Sequence, residues 1–302
     1  MSASAALLAD GLGKRYGSNW ALRECTLEIP AGSVTALVGP NGAGKTTLLQ
    51  LAIGLLRPST GAIEVLGRTP QHDAAALLPH VGFVAQEHPL YHGFTIADTL
   101  RFGAKLNPRW DQDAAVRRIE QLGLPLRKKI GKLSGGQQAQ VALTLALSKQ
   151  PQVLLLDEPV ASLDPLARRE FLQSVMEAVS ETGMTVVLSS HIVADLERVC
   201  DHLVILSHAR TILAGSIDDI LASHRVLTGP RTDPATVARV HNVVRESHTE
   251  RQTTLLVRAN GHVYDSTWQL HEVDLEEIVL AYLGLDRTVR TSRERLHEAV
   301  PA

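Results

Sequence analysis

Residues 33–46 read SVTALVGPNGAGKT. The opening SVTALVG is a short run of β-branched and apolar residues that stops at Gly39, which predicts a buried strand. GPNGAGKT (39–46) then fits G-x-x-x-x-G-K-[ST] in full, and KTTLLQLAIGLL (45–56) has helical length and composition before RPSTG (57–61) breaks it. Strand, loop and helix in that order are the context a phosphate-binding loop requires. Gly39, Gly42 and Gly44 let backbone N–H groups close on phosphate oxygens, with Asn41 and Thr47 in the same loop. The helix N-terminus adds partial positive charge. Lys45 can reach β- and γ-phosphates, and the Thr46 hydroxyl can ligate Mg²⁺.

VLLLDE (153–158) supplies the matching acid. A strand covered on both faces delivers Asp157 at its C-terminal end, where open α/β sheets bind ligands and where a carboxylate can hold Mg²⁺. Glu158 follows and can polarise an attacking water. QVLLLD (152–157) and MTVVLSS (184–190) are short apolar runs, separated by the helical stretch PLARREFLQSVMEAVSETG (165–183). Alternating strands and helices predict an α/β fold with a largely parallel sheet.

The chain has 302 residues, of which 44% are hydrophobic and 21% charged, with a net charge of -2. This suits a soluble globular chain of one large domain, or of one domain plus a small appendage, and gives no bulk reason to expect a nucleic-acid or anionic-lipid partner. Cys25 and Cys200 lack CxxC spacing and read as reduced thiols of a cytosolic protein. His80, His88 and His92 lack a zinc-type pattern. No run of 18 apolar residues occurs, so no membrane span is expected, and MSASAALLADGL does not read as a signal peptide.

LSGGQ (133–137), with a serine and two glycines exposing backbone, is a second anion-binding stretch. With these motifs in order, residues 7–225 closely resemble the ATP-binding subunits of ABC transporters, whose signature LSGGQ is. The resemblance implies further roles. Tyr16 in KRYG stacks on adenine. Gln86 in VGFVAQ senses Mg²⁺ and water and faces a membrane partner. Asp164 in SLD crosses a dimer interface, and His191 in SSH holds the γ-phosphate. Two chains meet head to tail, so that Ser134, Gly135, Gly136 and Gln137 of one cap the ATP of the other. In this chain Gln140 and Thr144 stand where arginines are common, which predicts fewer charge-assisted contacts.

The resemblance predicts an ABC-type ATPase domain over 1–224, with a helical subdomain carrying the signature. Residues 225–302 are expected to form a small α+β appendage, with RVLTGPRTDPATVARVHNVV and RQTTLLVRANG as short strands around one helix and EVDLEEIVLAYLG (272–284) helical. The expected function is MgATP hydrolysis in a dimer that drives a separate membrane-spanning permease, with EHPLYHGFTIADTL (87–100) as the dock for a cytoplasmic helix of that partner. The overall length and the ending DLEEIVLAYLG resemble those of subunits that serve exporters and antibiotic-resistance or multidrug systems, and that resemblance favours export. The expected location is cytoplasmic, at the inner face of the membrane. The alternative is a soluble ABC-type ATPase acting on ribosomes or DNA, against which the single ATP domain and the lack of a long coiled coil count.

Overall fold

The structure is a computed structural model that describes residues 5–190, 192–193, 196–231, 242–259 and 267–284. In chain order the elements are β1 (Ala5–Tyr16), β2 (Asn19–Pro30), β3 (Val34–Val38), α1 (Lys45–Ala52), β4 (Thr60–Val65), α2 (Ala74–Leu77) and β5 (Val81–Val84). Then come α3 (Ile96–Leu106), α4 (Gln112–Gln121), α5 (Gly135–Leu147), β6 (Val153–Leu156), α6 (Pro165–Thr182) and β7 (Thr185–Ser190). The rest are β8 (His202–Ser207), β9 (Arg210–Ser216), α7 (Ile217–Ser223), β10 (His224–Pro230), β11 (Asn242–His248), β12 (Gln252–Arg258), β13 (Gln269–His271) and α8 (275–284).

The central sheet has the order β5-β6-β7-β3-β8-β9, parallel except for the last strand. Its inner strands are buried at every position, which explains their unbroken apolar sequences. Alternate side chains go to opposite faces. Val153 and Leu155 pack with α1 and with the antiparallel sheet β2-β1-β4. Leu154 and Leu156 pack with α5 and α6. The α/β expectation therefore holds. The three-stranded sheet at the N-terminus was not anticipated, because β1 and β2 carry glycines and charges that mask their period. Helix α1 stops at Ala52, a turn short of the expected end, and Gly54 follows with φ 75°.

A separate apolar cluster formed by Ile96, Leu100, Ala115, Ile119 and Val141 joins α3, α4 and α5 into the expected helical subdomain. The C-terminal part is a sheet of order β11-β12-β10-β13 plus α8, an α+β unit. The expected helix between RVLTG and HNVV falls on 232–241, outside the described residues. This unit shares its core with the cassette: Val244, Leu256, Leu275 and Ile278 belong to the same cluster as Leu213 of β9 and Ile217 of α7. Among the described residues, no helix is long and apolar enough to cross a membrane.

A buried polar link crosses that junction. His224, fully buried, places Nδ1 at 2.7 Å from the Ile220 carbonyl and Nε2 at 2.9 Å from the Tyr282 hydroxyl. A carbonyl only accepts, so Nδ1–H donates and neutral Nε2 accepts from Tyr282. Burial lowers the His224 pKa, so the folded imidazole stays neutral. The unfolded chain binds its proton near pH ~6.5, so this contribution to stability is present above that value and lost as pH falls below it. Tyr282→Phe leaves Nε2 buried without a donor; a loss of about 1–3 kcal/mol is expected in urea titration, with nucleotide affinity unchanged.

Candidate active site

The loop between β3 and α1 and the loop after β6 meet above the carboxyl ends of β3 and β6, which are separated by β7 alone. Gly44 has φ 107°, and a Cβ there would lie 2.5 Å from the Ala21 carbonyl oxygen of β2, so only glycine lets the loop turn into α1. Lys45 is buried and folds back over the loop, with Nζ donating to the Gly39 carbonyl at 2.7 Å and to the Pro40 carbonyl at 3.3 Å. It forms an ion pair with Glu158 at 3.0 Å. Thr46 Oγ1 donates to Asp157 Oδ1 at 3.1 Å.

Asp157 is held from three sides. Its N–H donates to Val84 of β5 at 2.9 Å, and its Oδ1 also accepts from Ser189 Oγ at 3.0 Å. The same Ser189 oxygen accepts from the Glu158 N–H at 2.8 Å. Burial raises the Asp157 pKa; the Thr46 and Ser189 bonds oppose this, Glu158 adds to it and Lys45 works against it. Glu158 is buried, with φ 43°. A hydroxyl and a carboxylate held side by side form a hard oxygen donor set of the kind Mg²⁺ takes alongside waters and phosphates.

The structure thus brings together Lys45, Thr46, Asp157 and Glu158. Asn41 and Gly42 are exposed along the rim, and Thr47 is half-buried below it. Tyr16 ends β1 with half its surface exposed, under the Lys14 ammonium at 5.3 Å. It pairs with Asn19 on β2, near the Ala21 carbonyl that abuts Gly44, so it lies on the loop's side of the fold. Gln86 is exposed just beyond β5. His191 lies outside the described residues. Ser189 had no assigned role in the sequence; its position at the end of β7, two residues before His191, was the available signal.

LSGGQ lies elsewhere. Ser134 caps α5: its Oγ accepts from Gln137 N–H at 3.2 Å, and Gln137 Oε1 accepts from Ser134 N–H at 3.2 Å and from Lys128 Nζ at 3.3 Å. Gln137 therefore serves the helix cap. Asp164 caps α6, its Oδ1 accepting from Leu166 and Ala167 N–H at 3.1 and 3.0 Å. A Cβ on Gly136 would lie 2.9 Å from the Ala167 Cβ of α6, and one on Gly135 would lie 4.0 Å from Leu163 Cδ2, so LSGGQ sits beside SLD and the first turn of α6. Among the described residues, no hydrogen bond or ion pair joins 133–137 to 39–46.

Gln140 and Thr144 face inward. Thr144 is fully buried and bonds back to the Gln140 carbonyl at 2.8 Å. The buried Gln140 amide finds no hydrogen-bond partner among the described residues and lines a cavity of about 330 Å³ with Arg118, Glu170 and Glu177. The expected loss of charge-assisted contacts therefore falls inside the packing of α4, α5 and α6.

Comparison with known proteins agrees with this architecture. The ABC transporter family matches residues 22–161. The linearmycin resistance ATP-binding protein LnrL of Bacillus subtilis is 30% identical over 275 residues, covering 89% of this chain and 84% of that one. The sulfate/thiosulfate import ATP-binding protein CysA of Synechocystis is 33% identical over 222 residues, 71% of this chain. The match spans only 61% of that relative's length. Among solved structures, cbiO1 from Clostridium perfringens, part of the ABC transporter complex cbiONQ, has a TM-score of 0.63 and 30% identity over 72% of this chain and 91% of that chain. The chain belongs to the family of ABC transporter ATP-binding proteins.

Ser189→Ala tests the geometry. It leaves the buried Glu158 N–H without an acceptor and removes one donor from Asp157. A stability loss of about 1–3 kcal/mol is expected in chemical denaturation.

Proposed function

We propose that this chain is the MgATP-hydrolysing subunit of a transporter and drives a separate membrane-spanning permease. The observation that carries the reading is the junction of Lys45 and Thr46 with Glu158 and Asp157, four groups from two loops 111 residues apart in sequence. The backbone N–H groups of the loop and the α1 N-terminus bind phosphate oxygens, and Tyr16 stacks on the adenine. Thr46 and Asp157 hold Mg²⁺, which when bound neutralises charge developing on the phosphates. Lys45 leaves Glu158 to reach the β- and γ-phosphates. Glu158 orients and polarises the attacking water, with Gln86 sensing Mg²⁺ and water and His191 holding the γ-phosphate, the roles that the family resemblance gives them.

The signature acts on a second chain's nucleotide, with Asp164 beside it at the dimer interface. The packing of LSGGQ beside Leu163 of SLD supports this arrangement. Residues 1–224 form the ATPase domain and 225–302 a unit fused to it by a shared core. The extent of the LnrL match, longer than that of CysA, supports reading the whole chain as the resistance and export kind. The chain works at the cytoplasmic face of the membrane, held there by its permease.

The dock for that permease is a cleft of about 590 Å³ between the outer strand β5 and the helical subdomain. Tyr91, Phe94 and Phe102 cluster at its mouth, with ring centroids 5.2–6.3 Å apart.

Glu158→Gln keeps the shape and removes the base. ATP turnover is expected to fall by about 10²–10⁴-fold while MgATP still binds; unchanged turnover removes Glu158 from the chemistry. A mixing experiment tests the shared site. Lys45→Ala and Ser134→Arg are each expected to be inactive alone. A mixed dimer holds one intact site, so mixing restores ATP-dependent dimerisation. A wild type that dimerises with ATP, beside a mixture that does not, sinks the shared-site reading.

A further inference from the structure

The cleft beside β5 is walled by apolar side chains, among them Phe83, Tyr91, Phe102, Leu106, Trp110 and Leu145. Two charged residues line it, Asp157 and Lys149. Asp157 is already bonded to Thr46 and Ser189. Lys149, half-buried just past the end of α5, sends Nζ to the Val81 carbonyl at 2.8 Å. An ammonium has three donors, and one carbonyl bond leaves most of its charge unmet. No carboxylate forms an ion pair with Lys149 among the described residues. Burial lowers its pKa, with no anion to oppose the shift. A cation set in an apolar wall costs stability unless an opposite charge joins it there.

Leu55, Tyr91 and Leu106 are each more than 60% exposed. Exposed apolar side chains of this size beside an apolar cleft suit a protein segment, such as an amphipathic helix laid in the groove. Resting on the reading that the chain serves a membrane-spanning subunit, we propose that the cytoplasmic helix seated in this cleft carries an Asp or Glu on its apolar face, and that this carboxylate pairs with Lys149. The apolar contacts supply area, and the buried pair fixes register and rejects helices that lack the charge. An uncharged helix leaves the ammonium desolvated and unpaired, which is where the discrimination arises.

The test uses the full chain and three hydrocarbon-stapled amphipathic helical peptides with one Leu/Phe stripe, identical except for Glu, Gln or Lys at one stripe position. Fluorescence anisotropy gives each Kd for wild type, Lys149→Gln and Lys149→Glu. The Glu peptide is expected to bind wild type about tenfold or more tighter than the Gln peptide. Lys149→Gln is expected to abolish that preference, and Lys149→Glu to transfer it to the Lys peptide. Equal affinities for wild type, a preference that survives in Lys149→Gln, or no saturable binding of any peptide each overturns the proposal. Saturable binding of sodium decanoate that needs Lys149 and excludes the peptides also overturns it, because it assigns the cleft to an amphiphilic anion. MgATP hydrolysis by the same preparations separates the two readings. Hydrolysis without charge preference overturns the Lys149 proposal alone, and charge preference without hydrolysis overturns the ATPase reading alone.

Discussion

The hydrogen bond from Thr46 to Asp157 closes the site. One partner begins α1 and the other ends β6, so the bond exists only if β6, β7 and β3 lie side by side and parallel. That arrangement places three strand ends together, and each contributes: β3 leads into the loop with Lys45 and Thr46, β6 into Asp157 and Glu158, and β7 carries Ser189. Burial works against ionisation of Asp157, and the Thr46 and Ser189 hydroxyls offset that penalty. The rest of the cassette holds this junction still. The β2 backbone confines Gly44, and β5 fixes the Asp157 amide through Val84.

Lys45 adds a second constraint. Its ammonium is satisfied within the chain by two carbonyls and Glu158, so the site's strongest cation and its candidate base neutralise each other. Any anion entering the loop must compete with Glu158 and the two carbonyls for Lys45, so occupation of the loop and loosening of this ion pair are coupled.

Much of this was legible in the sequence where residue type alone sets the geometry. The apolar runs at 33–39, 152–157 and 184–190 can only be strands covered on both faces, and GPNGAGKT has few backbone solutions. What escaped was set by tertiary contact. Ser189 is an ordinary strand-end serine until Asp157 and the Glu158 amide are seen on either side of it. The Lys45–Glu158 pair joins distant motifs. Gln140 and Thr144 read only as lost arginine contacts, because residue type does not tell which side of a helix faces in; the structure buries both. The tail reads as an appendage by composition, yet His224 and Tyr282 tie it into the same core as β9 and α7.

Glu158 has a left-handed backbone, with φ 43°. A non-glycine residue held there costs of order 1–3 kcal/mol unless its surroundings enforce it. Here the Ser189 acceptor and the Lys45 partner do the enforcing. By backbone conformation alone, glycine or asparagine is the easier occupant. Either would leave the buried Lys45 ammonium without its carboxylate, so relief of the turn and pairing of the loop's charge are set against each other at a single residue.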